Sequence, residues 1–422
     1  MMARSIAFRI NSLVIVSLSV IVFGCLLFLF LQTNSISKFV DEELTRDAKK
    51  QTSEFAKNVY NLAETANDLS KKMLSVSINV AKEVLKRSGS PSIQGTQRWS
   101  AINQFTNESK EIDVPNLVFG GTNIPKVVSF TSKAPFVDEI TQLTGATATI
   151  FVKMNQNGDM LRIATTVKKK NGERAIGTYI PAINPDGTPN PIVSTILQDK
   201  EYFGRAFVVD QWYVTAYAPL KLNNGDIIGM IYVGIPQKVV EEGLRKAIYA
   251  LKIGKTGYVY VLGGSGKEKG HYIISKEGKR DGENIWNSKD AQGKYLVQEI
   301  VNGTTEKPGE ILFFRYYWKN PEDPAPRAKI VAAIYYKDWD WVIGAGSYED
   351  EDEIYYVRDK IRDRFSSLIY LMLVLAIVLY AVTIIITLQV ARRISKPIKQ
   401  AANVAEAISR GDLLTATKLM NE

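Results

Sequence analysis

One cysteine and one histidine stand in 422 residues. Cys25 has no second thiol to pair with inside the chain, so an intramolecular disulfide and a thiolate metal cluster are both excluded. His271 alone excludes a multi-histidine zinc or iron site, and a Ser-His-Asp triad would have to use that one imidazole. No metal and no cofactor is expected, and no catalytic residue is assigned. Charged residues are not scarce: they make 23% of the chain against 45% apolar, which excludes a wholly disordered chain and a polytopic membrane protein.

Two long apolar runs are present. Leu13 to Leu31 is 19 residues without a charge, close to what a hydrocarbon core of ~30 Å requires. A cleaved signal peptide is the competing reading, but the bulky FLFLQ leads directly into helical sequence, which favours an uncleaved anchor. The second run, Phe365 to Leu388, carries Tyr370 and Tyr380 as candidate headgroup anchors. Arg4 and Arg9 precede the first run; Arg392, Arg393, Lys396 and Lys399 follow the second. By the positive-inside rule residues 1–12 and 389–422 are cytoplasmic, 13–31 and 365–388 span the membrane, and the segment between is outside. A two-pass protein of the cell (inner) membrane is expected. The two ends hold eight basic and three acidic residues, so the pI near 9.2 reflects topology and implies no nucleic-acid partner.

The outer segment begins as a helix over 33–88, free of glycine and proline until Gly89 and Pro91. Leu44, Ala48, Phe55, Val59, Leu62, Ala66, Leu69, Met73, Val76 and Val80 recur at threes and fours. That stripe predicts both a coiled-coil dimer stalk, paired nearest the membrane, and a spine for sheets. After a Ser-, Thr-, Gly- and Pro-rich linker (89–135) strands dominate, with TATIFVKM, MLRIATTV, FGRAFVVD, WYVTAYAPL and IIGMIYVGI separated by turn signals, and with a short helix over 192–200. Thr144-Gly145 and Thr256-Gly257 are 112 residues apart, as are Gly234 and Gly346, which indicates a duplicated module. The expectation is α+β: a long helix with two modules built on antiparallel five-stranded sheets, 115–236 distal to the membrane and 237–348 proximal, then a helix over 349–364 descending to the second span.

TGATATIF, RIATTV, NGERAIGTYI, YFGRAFVVDQWYVTAYAPL and GDIIGMIYVGI resemble a type-3 Cache unit, and GKTGYVYVL, GHYIIS, GEILFFRYYW and WDWVIGAGSYEDE a type-2 unit. Together they resemble the double-Cache sensor region of bacterial transmembrane receptors, most often methyl-accepting chemotaxis proteins. His271-Tyr272 departs from the His-Pro usual in that family. RRISKPIKQAANVAEAISRGDL resembles the first helix of a HAMP domain, with Pro397 at its start, an apolar seam and a Gly411-Asp412 stop. The chain is expected to be part of a longer receptor. The resemblance implies a non-enzymatic homodimeric chemoreceptor that senses a small outside ligand and signals to a cytoplasmic chemotaxis kinase and adaptor. The alternative output is that of a histidine kinase or a diguanylate cyclase.

Alternation in MLRIATTV puts Arg162, Ala164 and Thr166 on one face, and in WYVTAYAPL it groups Tyr213, Thr215 and Tyr217. With a roof from the loop Arg174 to Tyr179, and Tyr202 nearby, such a face suits a small carboxylate or zwitterion. A solvated outer face of an antiparallel sheet would show the same alternation. The expected ligand-binding set is Arg162, Thr166, Arg174, Tyr179, Tyr202, Tyr213 and Tyr217. In the second module Tyr258, Tyr260, His271, Arg315, Tyr317 and Trp318 are weaker candidates, and the two tryptophans of WDWVIGAGSY read as core. The acidic run 349–353 reads as a helix start, and GGSGK at 263–267 as a hairpin loop.

Overall fold

A computed structural model describes residues 2–350 and 353–420. They form two compact units: Lys49–Tyr348, and the two chain ends up to Ala48 and from Glu349 on. Helix α1 (Met2–Arg87) contributes to both.

In the larger unit the buried face of α1 is mostly small up to Ser70 and larger beyond it, where Leu85 is buried as well. Ala56, Val59, Ala63, Leu74, Ile78, Ala81 and Val84 are buried, together with Thr52, Asn67, Ser70 and Ser77. The hidden hydroxyls of Ser70 and Ser77 donate to the carbonyls of Ala66 and Met73, one turn back, so they leave no polar group unpaired. Asn67 pegs the proximal sheet: its Oδ1 accepts from Trp339 Nε1 at 3.0 Å and its Nδ2 donates to Asp338 at 2.9 Å. The stripe expected from spacing is therefore corrected. Leu62, Leu69, Met73 and Val76 are 43%, 59%, 51% and 66% exposed, while Phe55, Ala66 and Val80 are half-buried. The side chain of Leu44 lies outside the described residues. Spacing finds the greasiest face of the helix, but over 56–63 the proximal sheet packs on the smaller residues beside it.

The distal sheet has nine strands: β1 (Pro91–Asn103), β2 (Ser109–Phe119), β3 (Thr122–Asn123), β4 (Thr147–Lys153), β5 (Met160–Thr165), β6 (Thr178–Ile180), β7 (Tyr202–Val208), β8 (Gln211–Lys221) and β9 (Ile227–Pro236). Their order is β3-β2-β1-β6-β5-β4-β9-β8-β7, antiparallel except for β1 beside β6. The segment read as a linker is thus a long hairpin, β1–β2, that widens the sheet. Two helices flank the sheet, α2 (Val137–Thr144) and α3 (Pro191–Leu197); the Asn190 side chain caps α3 by accepting from the amides of Ile192 and Val193. One face of the sheet packs with α1 and α2, and the other holds Phe151, Tyr217 and Tyr232 beneath α3.

Helix α4 (Gln237–Ala250) leads to the proximal sheet, where β10 (Lys252–Ile253), β11 (Gly257–Gly263), β13 (Ile311–Trp318), β14 (Arg327–Tyr336) and β15 (Trp341–Tyr348) run in the order β10-β11-β15-β14-β13. β12 (Tyr272–Ile274) pairs with β11, which makes GGSGK part of a hairpin loop. One sheet face packs on α1 and α4 and buries Trp339 and Trp341; the other, under α5 (Leu296–Thr305), gathers Tyr258, Tyr260, Tyr272 and Tyr348. The α+β architecture expected from the strand pattern is the one found, but the sheets have nine and six strands where five each were expected.

The chain ends add α6 (Glu353–Ser409) and α7 (Leu413–Met420). Ser12–Ile36 and Asp363–Ser409 are long and apolar enough to cross a membrane. α6 continues through Pro397, which corrects the helix start expected there, and Gly411 (φ 74°) separates it from α7. Of the acidic run at 349–353, Glu351 and Asp352 lie outside the described residues.

Candidate functional site

The distal sheet face away from α1 is built by alternation: Thr149 and Phe151 of β4, Tyr213, Thr215 and Tyr217 of β8, and Met230 and Tyr232 of β9 share it. Arg162 of β5 enters this face at 1% exposure. Its guanidinium lies 5.0 Å from the centre of the Phe151 ring and donates to Thr178 Oγ1. No carboxylate pairs with it among the described residues, and its Nε has no hydrogen-bond partner. Burial pulls the guanidinium below the ordinary arginine value, while the phenols of Tyr217, Tyr232 and Tyr213 act in the opposite sense.

Tyr217 is fully buried, with ring centres of Tyr232, Tyr202 and Phe151 at 5.0, 6.1 and 6.4 Å. Its hydroxyl also has no partner. Burial pushes the phenols of Tyr217 and Tyr232 well up, so both are neutral donors near neutral pH. Tyr213 accepts from Gln211 Nε2 at 3.1 Å. A cation and a hydroxyl with unmet donors, walled by aromatic rings, form an arrangement suited to a small anion.

Four of the expected residues, Arg162, Tyr202, Tyr213 and Tyr217, come together here; three do not. Ile163 is an extra residue in the β4–β5 ladder, where Phe151 pairs with Arg162 and Ile150 with Ala164. This bulge flips the alternation, so Thr165 bonds Thr149 on the pocket face while Thr166 turns away to Thr141 of α2. Tyr179 packs with the α1 side of the sheet, under Lys110. Arg174 is 2% exposed, and all five of its N–H groups are taken: Asp138 accepts two at 2.7 and 2.9 Å, and the carbonyls of Thr165, Ser129 and Ser132 accept the rest. It fastens its loop to α2 and has no donor left for a ligand. Tyr232 is the residue of this cluster that sequence reasoning missed. The signal was Tyr232-Val-Gly234: the ring lies over Gly234, where a Cβ would sit 2.0 Å from its hydroxyl.

A chain of polar contacts leaves this cluster toward the proximal module. Tyr202 Oη donates to the Arg205 carbonyl, and Arg205 Nε donates to Gln237 Oε1 at 2.7 Å. Gln237 donates to Glu241, which accepts from Arg245 at 3.0 Å, and Arg245 reaches Asp281 at 2.8 Å. In the proximal module Trp318 Nε1 and His271 Nδ1 have no partner, and a cavity of about 380 Å³ opens beside Tyr258 and Tyr272.

Solved structures that match parts of this chain include the periplasmic sensor domain of a chemotaxis protein, which matches 27% of this chain and 76% of its own at 25% identity and a TM-score of 0.24. A methyl-accepting chemotaxis protein from Vibrio parahaemolyticus matches 28% and 76% at 22% identity and 0.24. The periplasmic sensory domain of the Campylobacter jejuni chemoreceptor Tlp1 matches 73% and 97% at 10% identity and 0.34. Two apolar helices flank a sensor segment here, and residues 37–363 match the Cache 3/Cache 2 fusion domain, so the chain belongs to that family.

Proposed function

We propose that this chain is the sensory part of a transmembrane chemoreceptor that holds a small carboxylate or zwitterion in its distal module. Arg162 forks the carboxylate, Tyr217 donates its hydroxyl, and Tyr202, Tyr213 and Tyr232 supply the wall. The observation that carries this reading is the buried Arg162 guanidinium, paired with no carboxylate, beside an unpartnered Tyr217 hydroxyl. A buried unpaired charge is costly, so an anionic ligand gains what the protein alone leaves unmet. Thr166, Arg174 and Tyr179 have no place in the proposed contact set. A thermal-shift screen of the chain against organic acids, amino acids and amines tests the reading: stabilisation by acids or amino acids supports it, and stabilisation by amines alone contradicts it.

Both termini are cytoplasmic by the flanking arginines, in the inner membrane, and a HAMP-like segment after the second span passes the ligand's effect to a chemotaxis kinase and adaptor. A histidine kinase or cyclase output would serve the same sensor.

Homodimerisation rests on the exposed seam of α1. Leu62, Leu69, Met73 and Val76 follow one another at intervals of seven, four and three, the spacing of a coiled-coil stripe. With Cys25 replaced, single cysteines at 62, 69, 73 and 76 should crosslink between subunits readily, and those at 56, 63 and 70 should not. Equal crosslinking at all seven positions would contradict a parallel pair along this face.

A further inference from the structure

The proximal module contains a concave site that shares no residue with the Arg162 cluster. The cavity of about 380 Å³ is lined by Tyr258, Tyr272 and Pro321 as apolar wall, and by Lys276, Lys279 and Arg280 against one carboxylate, Glu322. Its volume is within the range of small-molecule pockets. Behind Tyr258 lies another cation: Lys329 is 1% exposed, with Nζ 3.5 Å from the Tyr258 ring centre and 5.0 Å from that of Tyr348.

The cationic turn is held in place, not left to solvent. Asp281 Oδ1 accepts from the Ser275 amide and hydroxyl at 2.7 and 2.8 Å. Its Oδ2 accepts from Arg245 at 2.8 Å and from Tyr249 Oη at 2.7 Å. Ser275 Oγ in turn accepts from the Arg280 amide. Two successive residues take positive φ, Glu277 at 54° and Gly278 at 73°. The non-glycine of the pair is a strained conformation of the kind that clusters at binding sites.

Each cation already has a carboxylate: Lys276 pairs with Glu322, Lys279 with Glu277 at 2.6 Å, and Arg280 with Glu283 at 2.6 Å. The Lys279 pair is mostly exposed and the carboxylate of the Arg280 pair half so. The Lys279 pair is worth at most about 1 kcal/mol, so that side chain can turn to an incoming anion at little cost; Arg280 forks Glu283 through Nε and Nη2, both at 2.6 Å, and its Nη1, which makes no hydrogen bond among the described residues, remains for the anion. We infer that this cavity is a second ligand site, for a small organic carboxylate with a flat apolar body that lies against the two tyrosines while Lys279 and Arg280 take the charge.

The test is isothermal titration of the full chain, in lipid nanodiscs, with sodium benzoate. Saturable binding is expected, weakening as salt is raised. Lys279→Gln combined with Arg280→Gln should raise Kd at least about tenfold, the loss expected when charged hydrogen bonds are removed. Both side chains reach solvent, and an unchanged melting curve will show that the variant is folded. Three results would overturn the inference: no binding of benzoate, wild-type binding by the double variant, or a benzoate signal that survives in the double variant and vanishes in Arg162→Lys.

Discussion

Arg162→Met is expected to make the ligand-free protein more stable. The guanidinium is fully buried and, among the described residues, carries no ion pair and makes one side-chain hydrogen bond, to Thr178 Oγ1. Thr178 loses little with it, since its hydroxyl also donates to the Ala175 carbonyl at 3.0 Å. Methionine keeps most of the volume and the contact with Phe151 but removes the desolvated charge. Replacing buried charges by apolar side chains of similar size stabilises by about 1–4 kcal/mol where the charge is poorly compensated. At about 2–4 °C per kcal/mol, the melting midpoint should rise by roughly 2–16 °C while carboxylate binding is lost. A lowered midpoint would mean that Arg162 is a structural hub, and the argument for a ligand there would lose its main support.

Asp138→Ala should act in the opposite direction, and strongly. It removes the one carboxylate that meets Arg174, whose side chain is 2% exposed, and it also takes an acceptor from the Ala134 amide. Breaking a buried pair by deleting one partner costs about 3–5 kcal/mol because the other charge stays buried. The Asp138 side chain is 25% exposed, so water reaching the gap places the loss toward the lower end. A fall in melting midpoint of roughly 6–12 °C follows. Removing both charges, Asp138→Ala with Arg174→Met, should restore much of it, because the orphaned cation is then gone. If the single change leaves the midpoint unmoved, Arg174 is not held as described and returns to the list of ligand residues.

The contrast between these two arginines marks how far sequence reading reaches. Alternation placed Arg162, Tyr213 and Tyr217 on one face of a sheet, and they do share it, because β8 keeps a regular pleat and Arg162 precedes the irregularity in β5. The same rule failed four residues later. A single extra residue, Ile163, exchanges the two faces, and nothing in MLRIATTV marks a bulge that the pairing with β4 creates. Arg174 looked like a ligand residue because its partner Asp138 lies 36 residues earlier, on a helix whose contact is set only by the fold. The α1 stripe was misjudged for a different reason: Leu62 and Ala63 are neighbours, and spacing alone favours the larger although the sheet packs on the smaller. The hairpin β1–β2 was hidden by its polar composition, since both strands carry many exposed residues.

Calorimetry of the full chain with an acid found by the thermal-shift screen shows whether a carboxylate sits on Arg162. Arg162→Lys keeps the charge and loses the fork, so affinity should fall by about 10- to 150-fold, the equivalent of ~1.5–3 kcal/mol for a charged hydrogen bond. Tyr217→Phe, which removes one hydroxyl, should cost about 0.5–1.5 kcal/mol. Undiminished binding by a folded Arg162→Lys protein would contradict the account.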